Sequence, residues 1–340
     1  MPANPQPSHH GSADRSGVHR SGTDRSGVHR SVDGWQVDAL PPAPAKSFLV
    51  TGGNAGIGYF VAEQLATTGA LVILGCRDAR KAETAMASIR TRAPGARLCH
   101  LPLDLADLPS LRSTANALAA LGHLDAVILN AGVALDEPPR RETGAGHELM
   151  LATNHLGHFA LTQWLMPLLT LAPAARVVTV GSFAARSERL DLADLQSTRD
   201  YRAKRTYGRS KLAQMLFGFE LDRCLRADGS PVLSVLAHPG GALDALTPPR
   251  PTIPATTPSA RLRALPAAAL VQGKEQGAWP IVRAALDPEV EGGQLWGPRR
   301  FGLRGAPCLE RPKPHMTDPE TAARLWEASQ ELVQPNMPGW

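Results

Sequence analysis

The run Phe48-Leu49-Val50-Thr51-Gly52-Gly53-Asn54-Ala55-Gly56-Ile57-Gly58 decides the fold. Three apolar residues suited to a strand end in a glycine-rich turn. The turn opens Tyr59-Phe60-Val61-Ala62-Glu63-Gln64-Leu65-Ala66, a sequence suited to a helix. Glycines at such a junction let bare backbone approach a pyrophosphate, which then sits at the amide-rich, partly positive start of the helix. A glycine-rich turn alone says little; its position between a strand and a helix strengthens the reading.

Downstream the same alternation recurs. Leu71 to Cys76 (LVILGC) precedes the helical pattern of residues 77–92, and residues 98–103 lead into that of residues 110–121. Residues 125–129, 175–180 and 231–236 are three further apolar strands. Short apolar strands separated by amphipathic helices give a parallel sheet covered on both faces and wound by right-handed crossovers. The expected fold is α/β, a single doubly wound sheet over residues 45–340, long enough to bury a large core. Residues 1–44 read as a disordered tail: DRSGVHRSGT at 14–23 is nearly copied by DRSGVHRSVD at 24–33, with no apolar residue placed to help close a core. That tail is too polar for a signal peptide. Residues 247–266 are proline-rich, which keeps them out of the sheet. They follow the sixth strand at the edge where such sheets bind ligands, so a substrate lid is expected there, against the plainer reading of a surface loop.

Composition narrows the partners. The net charge is +5, and six lysines leave 30 of the 36 basic residues as arginine, dispersed among acidic residues instead of clustered as on a nucleic-acid surface. Cys76, Cys99, Cys224 and Cys308 lie far apart without metal-ligand spacing, which suits a reducing cytosol. No stretch approaches 18 uninterrupted apolar residues, so a cytoplasmic protein without a membrane span is expected. His100, His123, His147, His155 and His158 form no i, i+4 pair with a carboxylate, and no metal is expected.

Tyr207 and Lys211 carry the chemistry. With three tyrosines and six lysines in 340 residues, a chance Tyr-x-x-x-Lys pair is about a one-in-twenty event. The spacing puts both side chains on one helix face, where an ammonium favours the phenolate. A solvated helix with a tyrosine resting on a lysine stem is the plain alternative.

Taken together these motifs resemble the short-chain dehydrogenase/reductase family. Thr51-Gly52 with Gly56 and Gly58 meets its T-G-x-x-x-G-x-G turn, Leu103-Asp104-Leu105 matches its adenine-side strand end, and Asn130-Ala131-Gly132 matches its N-A-G turn. Asn154 in TNHLGHFALT, Ser182 in VVTVGSFAA, and Tyr207 with Lys211 match its catalytic set, while Pro239-Gly240 matches the turn beneath the nicotinamide. The interval from Ser182 to Tyr207, the HLGHF run and the ending from Gly297 to Ser329 are similar to the retinol-dehydrogenase-like branch. Members of that branch often carry an N-terminal membrane anchor, which this chain does not show, so the likeness does not import a retinoid substrate.

The resemblance implies a Rossmann-type domain in which Tyr207 exchanges the proton, Ser182 donates to the substrate oxygen, Lys211 supports both phenol and nicotinamide ribose, and Asn154 holds a relay water. It implies cofactor contacts at Gly52, Asn54, Gly56, Ile57, Gly58, Asp104, Leu105, Asn130, Ala131, Gly132, Tyr207, Lys211, Pro239 and Gly240. NADP is expected over NAD. Cys76, not a carboxylate, ends the second strand, and the guanidinium of Arg77 forks onto phosphate, although Asp78 beside it could hand the ribose an acid. Asp244 replaces the family's usual threonine, with Thr247 as a candidate substitute. The expected activity is hydride transfer between NADPH and a carbonyl or alcohol of a hydrophobic small molecule. The alternatives are an enone reductase using the same Tyr-Lys site, or an NADP-binding regulator without turnover. Homodimers through the helices near 154–166 and 207–221 are common in the family.

Overall fold

The computed structural model describes residues 35–135, 139–251, 253 and 256–333, with Met1. All six expected strands form: β1 (Ser47–Thr51), β2 (Leu71–Cys76), β3 (Arg97–Pro102), β4 (Ala126–Leu129), β5 (Arg176–Val180) and β6 (Leu233–Ala237). Between them run α1 (Gly56–Ala66), α2 (Ala79–Arg92), α3 (Leu111–Ala117), α4 (Leu149–Leu151), α5 (Gly157–Leu169) and α6 (Ala203–Ala227). The strands pair in parallel in the order β3-β2-β1-β4-β5-β6. The order reverses between β1 and β4, which opens a ligand crevice at their carboxyl ends.

Period-two alternation splits the core into two layers. Leu49, Ile73, Val127, Val177 and Leu236 pack with α3, α5 and α6 on one face of the sheet. Phe48, Val50, Val72, Leu74, Ile128, Val178 and Val235 pack with α1 and α2 on the other. Each β1 residue is buried, as a central parallel strand requires.

Past β6 the chain holds more order than its sequence reading provides. A short parallel pair, β7 (Ala242–Leu243) with β8 (Gln272–Gly273), brackets α7 (Pro258–Ala264). After α8 (Lys274–Leu286), β9 (Leu295–Arg300) joins β6 in parallel and β10 (Arg304–Glu310) returns antiparallel, so the sheet has eight strands. Pro298 and Pro307 face each other in this hairpin and disguise it in the sequence. Pro298 is tolerated because β6 pairs with β9 only at Leu295 and Trp296.

One boundary of the sequence reading is corrected. Residues 2–34, with both copies of the repeat, lie outside the described residues, but the body begins before residue 45. Trp35, Val37 and Ala43 are buried in the α1/α8 layer, and the Arg283 guanidinium lies 5.7 Å over the Trp35 ring. The face expected to form a dimer is partly covered by the chain's own α9 (Pro319–Val333). Trp326 stacks on Phe217 at 5.8 Å and meets Phe159 edge-on at 5.0 Å, and His155 Nε2 is 2.7 Å from Ser329 Oγ. The proline-rich stretch is anchored by Arg250, which is buried, bonds both carboxylate oxygens of Glu63 on α1 and also reaches Glu275 on α8. Its residues 252, 254 and 255 lie outside the described residues.

Candidate active site

The glycine turn forms the floor of a cleft of about 550 Å³ at the β1/β4 switch point. Gly56 sits at φ +59°, a left-handed conformation open to glycine. A Cβ on Gly58 would collide with the Gly52 carbonyl and the Asn130 amide, so Gly58 is what lets α1 pack tightly against the turn. No side chain caps α1 and no acid stands in its first turn, which leaves its leading N–H groups for an anion. A bare-backbone cradle at a helix start fits the diphosphate of a dinucleotide. Thr51 locks the opposite wall: its Oγ1 accepts from Asn130 N and Ala131 N, each at 2.9 Å, while Asn130 Nδ2 donates to Thr51 O at 2.9 Å.

Of the expected cofactor residues, Gly52, Asn54, Gly56, Ile57, Arg77, Asp104, Leu105, Asn130, Ala131 and Gly132 line this cleft. Gly58 supports it from beneath. Pro239 and Gly240 lie off it, packed under the β9–β10 hairpin, where a Gly240 Cβ would meet Leu303 O and Pro298. His238 accepts from Gly240 N at 3.2 Å and donates through Nε2 to Glu310 at 3.0 Å. Arg186, four residues after Ser182, pairs with the same carboxylate. Burial works against the charge of Glu310, yet His238 and Arg186 outweigh it and hold the carboxyl below its usual range.

Asp78 lies at the far end of the cleft. Its carboxylate caps α2, accepting from Lys81 N at 3.1 Å, and Lys81 Nζ is 3.8 Å away. The backbone bond from Lys81 is the main reason its acid lies below the ordinary range. Cys76 at the strand tip is a neutral thiol, pushed up to about 11 by burial. Arg77 and Lys81 both line the cleft, and Arg77 is 3.8 Å from Asp104.

Behind Gly132 stand the residues that the resemblance expects to be catalytic. A Cβ on Gly132 would stand 3.1 Å from Asn154 Oδ1 and 3.3 Å from Lys211 Nζ, which places those two side chains together just under the cleft wall. Asn154 sits in a π-helical turn, Ala152–Leu156, between α4 and α5. Its Oδ1 accepts from Val133 N at 2.8 Å, and its Nδ2 donates to Val133 O at 3.0 Å and to Ser210 Oγ at 2.9 Å. Ser210 in turn donates to Tyr207 O at 2.8 Å. Lys211 is buried and donates to Val180 O at 3.2 Å and Gln214 Oε1 at 2.8 Å. Burial pulls its ammonium down to about 8. Tyr207 stands one turn earlier on α6, half-buried. Ser182, two residues past β5, caps the turn Phe183–Ser187, accepting from Ala184 N at 3.2 Å. Gly208, next to Tyr207 in sequence, packs on Ala184 and Glu188.

Sequence reasoning missed His158, Ser210 and Gln214. Thr51 Oγ1 spends both lone pairs on Asn130 and Ala131, so its proton goes outward, and His158 Nε2 at 2.9 Å is nearer than Ile128 O at 3.2 Å. His158 then carries its proton on Nδ1, 3.1 Å from Asn154 O. Burial, with the Lys211 charge adding, pulls its imidazole down to about 3, so the ring is neutral. Gln214 Nε2 bridges to Leu129 O at 2.9 Å and lies 3.1 Å from His158 Nδ1. A signal for two of them exists: Tyr207, Ser210, Lys211 and Gln214 form a polar stripe at i, i+3, i+4 and i+7 on a helix face that is otherwise core. Thr247 turns out to be a structural link, donating to Leu243 O at 2.8 Å and accepting from Lys274 N at 2.9 Å.

Fold and cleft define a dinucleotide-binding α/β protein. The short chain dehydrogenase family model matches residues 46–193. The chain is 40% identical over 258 residues to polyprenol dehydrogenase of Mus musculus, covering 74% of this chain and 75% of that protein. It is 35% identical over 292 residues to retinol dehydrogenase 13 of Homo sapiens, covering 85% of each. The crystal structure of an uncharacterized protein from Mycobacterium Paratuberculosis matches with a TM-score of 0.72 at 34% identity, covering 90% of this chain and 99% of that one. The chain belongs to the short-chain dehydrogenase/reductase family, in its retinol-dehydrogenase-like branch, and is an oxidoreductase of CH–OH and C=O groups that uses a nicotinamide cofactor. Among the described residues no helix is long and apolar enough to cross a membrane, and no group of three or more His, Cys, Asp or Glu is placed to hold a metal ion.

Proposed function

We propose that the protein is an NADP-dependent oxidoreductase interconverting a carbonyl and an alcohol on a hydrophobic small molecule, with Tyr207 as proton donor in reduction and base in oxidation. The observation that carries this reading is the stripe Tyr207, Ser210, Lys211 and Gln214, joined to Asn154 directly behind the cleft wall. The cofactor, when bound, supplies or accepts the hydride at the carbon. The leading amides of α1 would hold its diphosphate, and Arg77 with Lys81 its 2′-phosphate; Asp104 and Leu105 would meet its adenine side. Lys211 would meet the nicotinamide side.

Tyr207 protonates the substrate oxygen on reduction and removes the proton on oxidation. Lys211 stands one helical turn from Tyr207, its buried ammonium held by Val180 O and Gln214 Oε1. Ser182 donates to the oxygen where negative charge develops. Asn154 and neutral His158 fix the lysine's surroundings without adding charge. Cytoplasmic residence is proposed with this activity, on the unbridged thiols of Cys76, Cys99 and Cys224.

The test is a panel of ketones, aldehydes, isoprenoid alcohols and enones assayed with NADPH and NADH. Tyr207→Phe is expected to lower kcat by about a thousandfold while calorimetry shows cofactor affinity unchanged. Retained turnover in that variant refutes the mechanism. Turnover of enones alone moves the reaction to C=C reduction, and no turnover in the wild type on any compound favours the regulator.

A further inference from the structure

We propose that Lys274 is a cofactor-binding residue that reaches across the cleft to the diphosphate, and that Asp244 is the partner it exchanges for phosphate. This rests on the dinucleotide reading of the cleft and adds a residue from outside the glycine-rich motif. Lys274 opens α8, more than 200 positions after the glycine turn, yet its Nζ lies 4.0 Å from where a Cβ on Gly56 would stand and its side chain lines the cleft beside Asn54 and Ile57. That places a cation beside Gly56, the first residue of the uncapped helix α1.

The position is built and not incidental. Lys274 N donates to Thr247 Oγ1 at 2.9 Å, and the preceding residues pair as β8 with β7, Leu243 against Gly273. One residue on, Gln64 Nε2 of α1 donates to Glu275 O at 3.0 Å, and Arg250 joins Glu63 of α1 to the Glu275 carboxylate. Helix α8 is thereby fixed in the frame of α1, and the Lys274 side chain is 22% exposed, far less than a free surface lysine.

The ammonium pairs with Asp244, whose side chain is 71% exposed. Asp244 stands where the resemblance leads one to expect a threonine, and a carboxylate there would repel a cofactor phosphate unless a cation stood between them. Lys274 is that cation. An ammonium has three donors and no fixed plane, so it can pass from a carboxylate to a phosphate oxygen by rotating its stem. The carboxylate, more solvated than the lysine, returns to water at little cost.

Binding of three probes, followed by calorimetry and displacement, tests this. NADPH and ADP-ribose carry the diphosphate; adenosine 2′-monophosphate lacks it. Lys274→Gln is expected to weaken NADPH and ADP-ribose about tenfold and adenosine 2′-monophosphate less than about twofold. Asp244→Asn, which removes the competing charge, is expected to tighten both diphosphate ligands about threefold. Lys274→Gln affinities within about twofold of wild type for every probe overturn the assignment. So does an equal loss in Asp244→Asn, which would make the pair a structural strut. A wild-type protein that binds none of the three overturns the dinucleotide reading itself, a separate outcome.

Discussion

At the Arg77 end of the cleft the charged groups stand in water, and at the Lys211 end they are dry. Arg77 has a side chain 67% exposed and a 3.8 Å contact with Asp104, an arrangement that contributes little to folding and is screened by salt. Lys211 is 4% exposed, with His158, Asn154 and Gln214 as buried neighbours, each held by named hydrogen bonds. In the dry network any deletion leaves a partner unsatisfied, so folding and the proposed catalysis depend on the same bonds. At the wet end a side chain is free to choose a ligand without holding the protein together.

Breaking the dry end has the largest expected effect. His158→Leu removes the partner of the Thr51 hydroxyl and of Asn154 O, and urea denaturation is expected to show a loss of about 3 kcal/mol. A loss below about 0.5 kcal/mol would mean that the network adds nothing to stability. Lys211→Met sharpens the contrast through pH. The buried ammonium titrates near 8, below its ordinary value, so between pH 8 and the value for an unfolded lysine the unfolded chain binds more protons than the folded one. Stability of the wild type without cofactor therefore rises through that window, by as much as about 3 kcal/mol near pH 10, and is flat below it on this account. Subtracting the Lys211→Met denaturation profile from wild type isolates the rise. A difference that stays constant from pH 7 to 10 would contradict the burial argument.

Legibility of the sequence follows the same division. The six strands and the glycine turn were readable because a doubly buried parallel strand must be a short apolar run and a backbone cradle must be glycine. Tyr207 and Lys211 were readable because scarce residue types stood at helical spacing. The role of His158 is not legible in the sequence, because nothing local marks a histidine as the acceptor of a hydroxyl 107 positions away. The β9–β10 hairpin was hidden by Pro298 and Pro307, which local rules read as breakers; only the register with β6 shows that the missing donors are not needed. Lys274 was invisible for a related reason: its meaning comes from the packing of α8 on α1, anchored by a buried arginine in a stretch that reads as loop.

The smallest expected effect lies at the wet end, and it separates specificity from stability. Arg77→Ala should leave the denaturation midpoint within about 0.5 kcal/mol of wild type, since a mostly exposed arginine loses one weak contact. Its effect should fall on the ratio of KM for NADPH to KM for NADH, raising it about tenfold, with kcat and the NADH value little changed. Lys81 remains in the cleft and keeps part of the attraction for a 2′-phosphate, so the double variant Arg77→Ala with Lys81→Ala should widen the shift. Asp78 cannot take over as a ribose acceptor without giving up the Lys81 backbone amide at the start of α2, so neither variant should gain affinity for NADH. An unchanged ratio in both variants would detach cofactor choice from this end of the cleft and remove the reason for expecting NADP.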